Sequence, residues 1–196
     1  MILKLFRQSP PDRNIRDLYG AIVAQARLPV FYTGYEVPDA VQGRFDLIVL
    51  HLVLVLAGLG QEDGPPRAIG QKLFDEFCRD LDDNLREMGV GDLAVPKRMK
   101  SFAEAFYGRQ AAYLAALAAS DQRELENALA RNIFEVTKGG GGPARLAAYV
   151  RATLRQFDEQ KNGENQKAFE SALLHGQVLF PNPETIATVP ETVRHR

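Results

Sequence analysis

The chain has 196 residues and a formal net charge of −1, with 45% hydrophobic and 25% charged residues. This composition is typical of one globular domain with short peripheral segments, and it argues against a nucleic-acid-binding protein, which usually carries a clear excess of Lys and Arg. The single cysteine, Cys78, excludes a disulfide framework and fits a reducing compartment. The first residues, MILKLFRQSPPDR, contain no sustained apolar stretch and no small-residue cleavage site. We therefore expect a flexible N-terminus over residues 1–10 and a cytoplasmic location.

The first predicted helix opens at Pro11 and ends before Pro29. Its apolar residues recur at spacings of three and four, the period of one helical face. The next segment, VFYTGYEV over residues 30–37, is predicted to be either a short extended stretch or an aromatic loop. Its aromatic residues are Phe31, Tyr32 and Tyr35.

The stretch GRFDLIVLHLVLVL, residues 43–56, belongs to the most apolar predicted helix. The apolar run covers residues 47–59, which is shorter than the roughly 20 residues of a bilayer span. A short helix that is apolar all round is typical of the middle of a soluble bundle, so we predict a core helix, with one partly exposed side as the alternative. Asp39 and Gln42 are predicted to form a capping pair at its start.

The next predicted helix, residues 68–88, has one apolar and one acidic side. The apolar side consists of Ile69, Leu73, Phe77, Leu81, Leu85 and Met88. The acidic side consists of Asp75, Glu76, Asp80, Asp82, Asp83 and Glu87. Arg79 and Arg86 stand at spacings that pair with Asp83 and Asp82, so an ion-paired, solvated face is the expected role of this side.

Gly89 and Gly91 end that helix, and a basic segment with Lys97, Arg98 and Lys100 opens another amphipathic helix. Three further helices are predicted: one capped by Asp121 and Glu124 and ended by residues 139–142, one started by Pro143, and a short one after residue 163. Residues 177–196 contain three prolines and are predicted to form an extended, mobile tail. The expected fold is all-α, with six to seven helices packed as a single compact domain over residues 11–176.

No combination of residues predicts catalysis. Asp80, Asp83 and Glu87 share a helical face, as in magnesium sites for diphosphate chemistry, but no second acidic motif faces them. His51 stands in the apolar run, where a hydrogen-bonded core histidine is the favoured interpretation and a haem or metal ligand the alternative. The glycine run 139–142 lacks the Lys-Ser/Thr of a phosphate loop. We expect a protein that binds rather than reacts, with no cofactor and no metal.

Three stretches resemble one family, the ubiquinol–cytochrome c chaperones. They are LYGAIVAQARLPVFYTGYEVPDAVQGRFDLIVLHLVLVL at residues 18–56, LFDEFCRDLDDNLREMGVGDLAVPKRMKSFAEAFYGRQAAY at residues 73–113, and a weaker match over residues 121–157. The resemblance implies a non-enzymatic protein that holds newly made cytochrome b during assembly of the respiratory bc1 complex. It also implies a small partner protein or the ribosome as further contacts, and a cytoplasmic or peripheral inner-membrane location. The absence of an import extension suggests a bacterial member.

A chaperone for an apolar client needs exposed apolar surface beside charge, because apolar burial supplies affinity and charge sets the register. The predicted client or partner contacts are Phe31, Tyr32, Tyr35, Phe45, Lys97, Arg98, Lys100, Phe106, Tyr107 and Arg109. The alternative is that the aromatic residues pack the helix bundle and that the charged clusters only solvate their helices or pair with each other. Gly108 does not suit a helix interior, which predicts close approach of another backbone, either within the fold or from a partner. The alternative function is a carrier or enzyme for an isoprenoid or haem ligand, which would require an enclosed apolar pocket with convergent acids.

Overall fold

The computed structural model describes residues 13–60, 65–135, 141–161 and 166–186. Within these ranges the protein consists of helices and turns. The helices are α1 Arg13–Ala26, α2 Val30–Thr33, α3 Val41–Leu59, α4 Pro65–Glu87, α5 Val95–Ala118, α6 Arg123–Ile133, α7 Gly141–Lys161 and α8 Gln166–Leu174. One 3-10 turn, Pro183–Thr185, follows. All helices except α2 have nine residues or more, so the predicted all-α fold of six to seven helices is confirmed.

Helix α3 occupies the centre of the bundle and contacts α1, α4, α5, α6 and α7. Every residue from Leu47 to Val55 is buried, because this stretch is apolar on all sides and the surrounding helices cover it. By length and composition α3 could cross a bilayer, yet 67% of its most apolar 18-residue window is buried inside the fold. This burial is what the core-helix prediction requires.

Of two local predictions around the start of α3, the loop or extended stretch over residues 30–37 holds only for residues 34–37, and the capping pair is wrong. Residues 30–33 form the short helix α2 instead of an extended stretch or a loop, because Thr33 N–H and Gly34 N–H close helical turns on the carbonyls of Pro29 and Val30. The capping pair is absent as well: Ala40 is the N-cap residue and has no side-chain hydrogen bond. The Asp39 carboxylate instead accepts from Arg44 at 2.7 Å.

Helices α4 and α5 form a long hairpin with a small apolar cluster of its own at the turn. Leu85, Val95 and Met99 are buried there, apart from the main core. Helix α4 ends in a Schellman motif, in which Val90 N–H donates to the Leu85 carbonyl and Gly89 adopts φ of 79°. Because the chain turns here, Met88 leaves the apolar face on which it was predicted and is 71% exposed.

The C-terminal segment, residues 177–186, lies against the core. Its anchors are Phe180, whose ring packs on the rings of His51 and Phe157, and Pro183, whose carbonyl accepts from the Tyr35 hydroxyl at 2.6 Å. Residues 1–10 and 187–196 lie outside the described residues. The domain boundaries and the predicted mobility of the tail therefore stay predictions.

Candidate functional site

The aromatic residues predicted as surface contacts divide into two groups. Phe31, Tyr35 and Phe106 are buried, with exposures of 0%, 4% and 2%, so the expectation that they form an open surface is wrong. Helix α2 turns the first two toward the core, where Phe31 packs against Tyr35, His51 and Tyr149. The exposed or partly buried group consists of Tyr32, Phe45 and Tyr107.

His51 lies in a hydrogen-bonded network at the centre of the fold. Its Nδ1 is 2.7 Å from the Leu47 carbonyl and its Nε2 is 2.9 Å from the Tyr149 hydroxyl. The carbonyl can only accept, so Nδ1 carries the proton and Nε2 accepts from Tyr149, whose oxygen in turn accepts from Gln25 at 3.1 Å. Burial lowers the pKa of His51 to about 4. Both ring nitrogens are occupied, so the prediction of a satisfied core histidine is confirmed.

The acidic side of α4 is engaged in ordinary surface contacts. Arg86 Nε donates to Asp82 at 2.6 Å, as its spacing predicts, and Arg79 pairs with Glu76. The Asp80 carboxylate accepts from the Tyr19 hydroxyl at 2.8 Å. Among the described residues, no group of three or more His, Cys, Asp or Glu side chains could hold a metal ion. The acidic set of the carrier or enzyme alternative, Asp80, Asp83 and Glu87, is therefore exposed to solvent, and Asp80 is held by Tyr19.

Arg109 does not share the environment of the other predicted basic contacts. Its Nη2 is 2.9 Å from a carboxylate oxygen of Asp46, which is 1% exposed, and Gln42 also donates to that carboxylate at 3.0 Å. Grouping Arg109 with Lys97, Arg98 and Lys100 was therefore wrong. Burial raises the pKa of Asp46, although Gln42 and Arg109 act in the opposite direction. The sequence analysis does not predict this ion pair between α3 and α5. Its only signal in the sequence is the Asp46 carboxylate beside an otherwise apolar run.

An open groove of about 460 Å³ lies between the end of α3, the start of α4 and the middle of α5. Its apolar lining consists of Leu56, Ala57, Leu59, Pro66, Phe74, Phe106 and Leu114. Tyr107 stands at its edge with 44% of its surface exposed, and Arg67, Gln71 and Gln110 supply polar groups. Among the described residues, the lining contains no carboxylate. These residues therefore provide neither the enclosure nor the convergent acids that the carrier or enzyme alternative requires.

Gly108 follows Tyr107 on the solvent side of α5. A Cβ atom at this position would meet no described atom within 4 Å. Of the two predicted alternatives, approach by another part of the fold is therefore wrong for the described part of the chain, and approach by a partner stays a prediction. Exposed Ala111 and Ala115 continue the same small-residue surface along the helix.

Lys97, Arg98 and Lys100 are exposed at the start of α5, next to the α4–α5 turn. Lys100 Nζ lies 3.7 Å from Glu104, an exposed pair that contributes little to stability. Lys97 and Arg98 form no ion pair with any described carboxylate. The structure thus leaves these three predicted residues exposed in the first turns of α5, at different positions around the helix.

The family model described as ubiquinol-cytochrome C chaperone matches residues 33–164. Among solved structures, the chain is similar to the crystal structure of the Cbp3 homolog from Brucella abortus, with a TM-score of 0.75 and 36% sequence identity. That similarity covers 95% of this chain and 100% of the other. No curated protein matches the chain.

Proposed function

The chain belongs to the ubiquinol–cytochrome C chaperone family, and from this premise we propose that it binds newly made cytochrome b and assists assembly of the bc1 complex without catalysing a reaction. Its family supports a chaperone role for a protein client. The finer parts of the proposal are cytochrome b as that client, a location in the cytoplasm or at the periphery of the inner membrane, and contacts with a small partner protein or the ribosome.

The single observation that carries the proposal is the α5 client face, which we define as two exposed parts of α5: the groove with Tyr107 at its edge, and the small-residue surface at Gly108, which does not line the groove. A membrane-protein client presents apolar helices, and helices of this kind pack where small residues let two backbones approach. Gly108 provides such a place, since its Cβ position is open to solvent. Gln71 Nε2 donates to Asp75 at 2.8 Å, so Gln110 and the amide oxygen of Gln71 are the groups at the groove that can fix the orientation of the bound segment.

The size of the groove suits a few side chains rather than a whole transmembrane helix. A volume of about 460 Å³ accommodates two or three large aliphatic side chains of the client. Each contributes about 1.5–3 kcal/mol by leaving water, and the entropy lost on association offsets part of the sum. The expected complex is therefore reversible. Release follows when the next assembly partner of the client competes for the same apolar segment.

The test compares two glycines of the same kind. Gly20 in α1 and Gly108 in α5 are both exposed, and neither has a described atom within 4 Å of its Cβ position. Leucine at either position should preserve or strengthen the helix, because glycine is the poorer helix former. Only Gly108→Leu places bulk on the α5 client face.

The tagged full chain is captured from gently solubilised cells, and the cytochrome b that co-purifies is quantified. We expect Gly108→Leu to lower that amount at least about tenfold, the effect of about 1.4 kcal/mol of lost contact, while Gly20→Leu leaves it unchanged. Equal capture by both variants would refute the α5 client face. Co-purification of a lipid or haem in place of cytochrome b would favour the carrier alternative.

A further inference from the structure

A second groove, of about 870 Å³, lies between α7, α8 and the C-terminal segment, with one residue of α1 at its side. We call it the α7–α8 groove. Its apolar lining consists of Ala21, Ala168, Phe169, Ala172, Val178 and Leu179. The Phe169 ring packs on Phe157 in the core, whereas Leu179 keeps 68% of its surface exposed. The described residues therefore leave an apolar surface here without a cover.

The polar part of this lining is mainly glutamine. Gln156 Nε2 donates to the Leu179 carbonyl at 3.0 Å, which holds the C-terminal segment at the edge of the groove. Glu159 is the charged residue among the described lining residues, and it forms no ion pair with a described cation. Arg155 stands one turn before it and does not line the groove. The groove therefore suits an apolar occupant that carries a positive charge.

The chain contains such a segment just before α1. Residues 1–12, MILKLFRQSPPD, lie outside the described residues. Residues 1–6 are apolar except for Lys4, and Arg7 follows them. A proline disfavours helical backbone at the residue before it, so Pro10 and Pro11 predict that the chain leaves the axis of α1 at this point.

The α7–α8 groove begins beside the place where this segment joins the fold. At one end of the groove, a Cβ atom on Gly176 would lie 2.9 Å from the Asn14 carbonyl oxygen. Ala21, also in the lining, is about 12 Å beyond Arg13 along α1. Residues 7–12 connect Phe6 to Arg13 and span up to roughly 25 Å when extended. Residues 1–6 can therefore reach the whole groove by folding back along α1.

We propose that residues 1–7 fold back along α1 and bind in the α7–α8 groove of the same chain. The apolar side chains of the segment cover Phe169 and Leu179, and Lys4 or Arg7 pairs with Glu159. A tethered segment has a high effective concentration at its site, so modest affinity is enough. Ordering the segment offsets much of the gain from apolar burial, so docked and released forms interchange. A reversibly docked segment thus replaces the flexible N-terminus expected from the sequence.

The first test uses the fact that the chain contains no tryptophan. Phe6→Trp places a single reporter in the full chain, and a peptide of residues 1–8 with the same change is the exposed reference. We expect the chain to emit at shorter wavelength than the peptide and to be quenched less by acrylamide. Adding Leu179→Asp should lower the docking equilibrium constant roughly tenfold. The matched control, Val41→Asp, changes another exposed apolar residue and should leave the emission unchanged.

The second test asks whether the contact forms within one chain. Phe6→Cys combined with Leu179→Cys should close an intramolecular disulfide under mild oxidation, whereas Phe6→Cys combined with Val41→Cys should not. The native Cys78 does not compete, because burial raises its pKa to about 12 and keeps the thiol protonated.

The intramolecular disulfide together with the response to Leu179→Asp supports the proposal. A disulfide between two chains would place the segment of a second copy in the groove and overturn it. Emission equal to that of the peptide also overturns it, as does emission that Leu179→Asp leaves unchanged. Leu179→Asp should capture as much client as the wild type, because the α5 client face is a separate surface. A failed client assay therefore leaves the docking result intact.

Discussion

The buried histidine gives a prediction whose size follows from the structure. Burial lowers the pKa of His51 from 6.5 to about 4, so between these values the unfolded chain binds the proton and the folded chain does not. The free energy of unfolding must therefore rise with pH across this window and fall as pH drops from about 6.5 to about 4. Between about pH 7 and about pH 4.5, integration gives a loss of roughly 2 to 3 kcal/mol from this residue alone.

The perturbation that isolates this effect is His51→Gln, which removes the titration and keeps a side chain that can donate and accept. Carboxylates also titrate at the acidic end, but they do so in both proteins. The change in unfolding free energy between the two pH values, from urea denaturation followed by circular dichroism, should be smaller in the variant by roughly 2 to 3 kcal/mol. Any loss at neutral pH cancels in this difference.

An equal pH dependence in wild type and variant would refute the assignment of His51 as a neutral core residue. A second measurement uses the wild type alone, so it does not depend on folding of the variant. The NMR signals of the His51 ring should remain those of the neutral form down to about pH 5, one unit above its lowered pKa. A ring that titrates near pH 6.5 would contradict burial as the controlling effect.

Other contacts give predictions that the same urea assay checks. Arg109→Met should destabilise the fold by about 3–5 kcal/mol, because it leaves the buried Asp46 carboxylate without its cation. The double variant Arg109→Met with Asp46→Leu should lose less stability. Equal losses in the two variants would contradict this coupling. Tyr35→Phe removes the hydrogen bond to the Pro183 carbonyl and should cost about 1 kcal/mol, and no loss would mean that the bond is not formed in solution. Phe180→Ala should cost roughly 2 kcal/mol through lost packing on His51, and an unchanged stability would show that the C-terminal segment does not stabilise the fold.

The sequence predicts the all-α fold and the central helix because both depend on local pattern. An apolar run over residues 47–59, bounded by turn residues, has few stable environments other than a bundle core. The neutral, hydrogen-bonded state of His51 follows from the same reasoning. Its partner Tyr149 does not, because a contact between residues 98 positions apart leaves no local periodicity.

The candidate site is less predictable for the same physical reason. Whether an aromatic residue is buried depends on which helix packs against it, so Phe31 and Phe106 read as surface contacts although the fold covers them. Arg109 belongs to a basic segment in sequence, but its partner Asp46 lies on another helix. The sequence alone singles out Gly108, because the free-energy cost of glycine in a helix interior depends only on local structure. The described part of the fold supplies no contact that offsets this cost.

The position of α3 in the chain has a consequence for biosynthesis. This helix leaves the ribosome well before α7, and the Tyr149 hydroxyl that completes the His51 network is made 98 residues later. At about 5–20 residues per second, the most apolar helix lacks its α7 cover for roughly 5 to 20 s in every synthesis cycle. During that interval part of a segment with the length and composition of a membrane span has no packing partner from α7. The nascent chain of this member of a chaperone family therefore exposes an apolar helix of its own before its fold is complete.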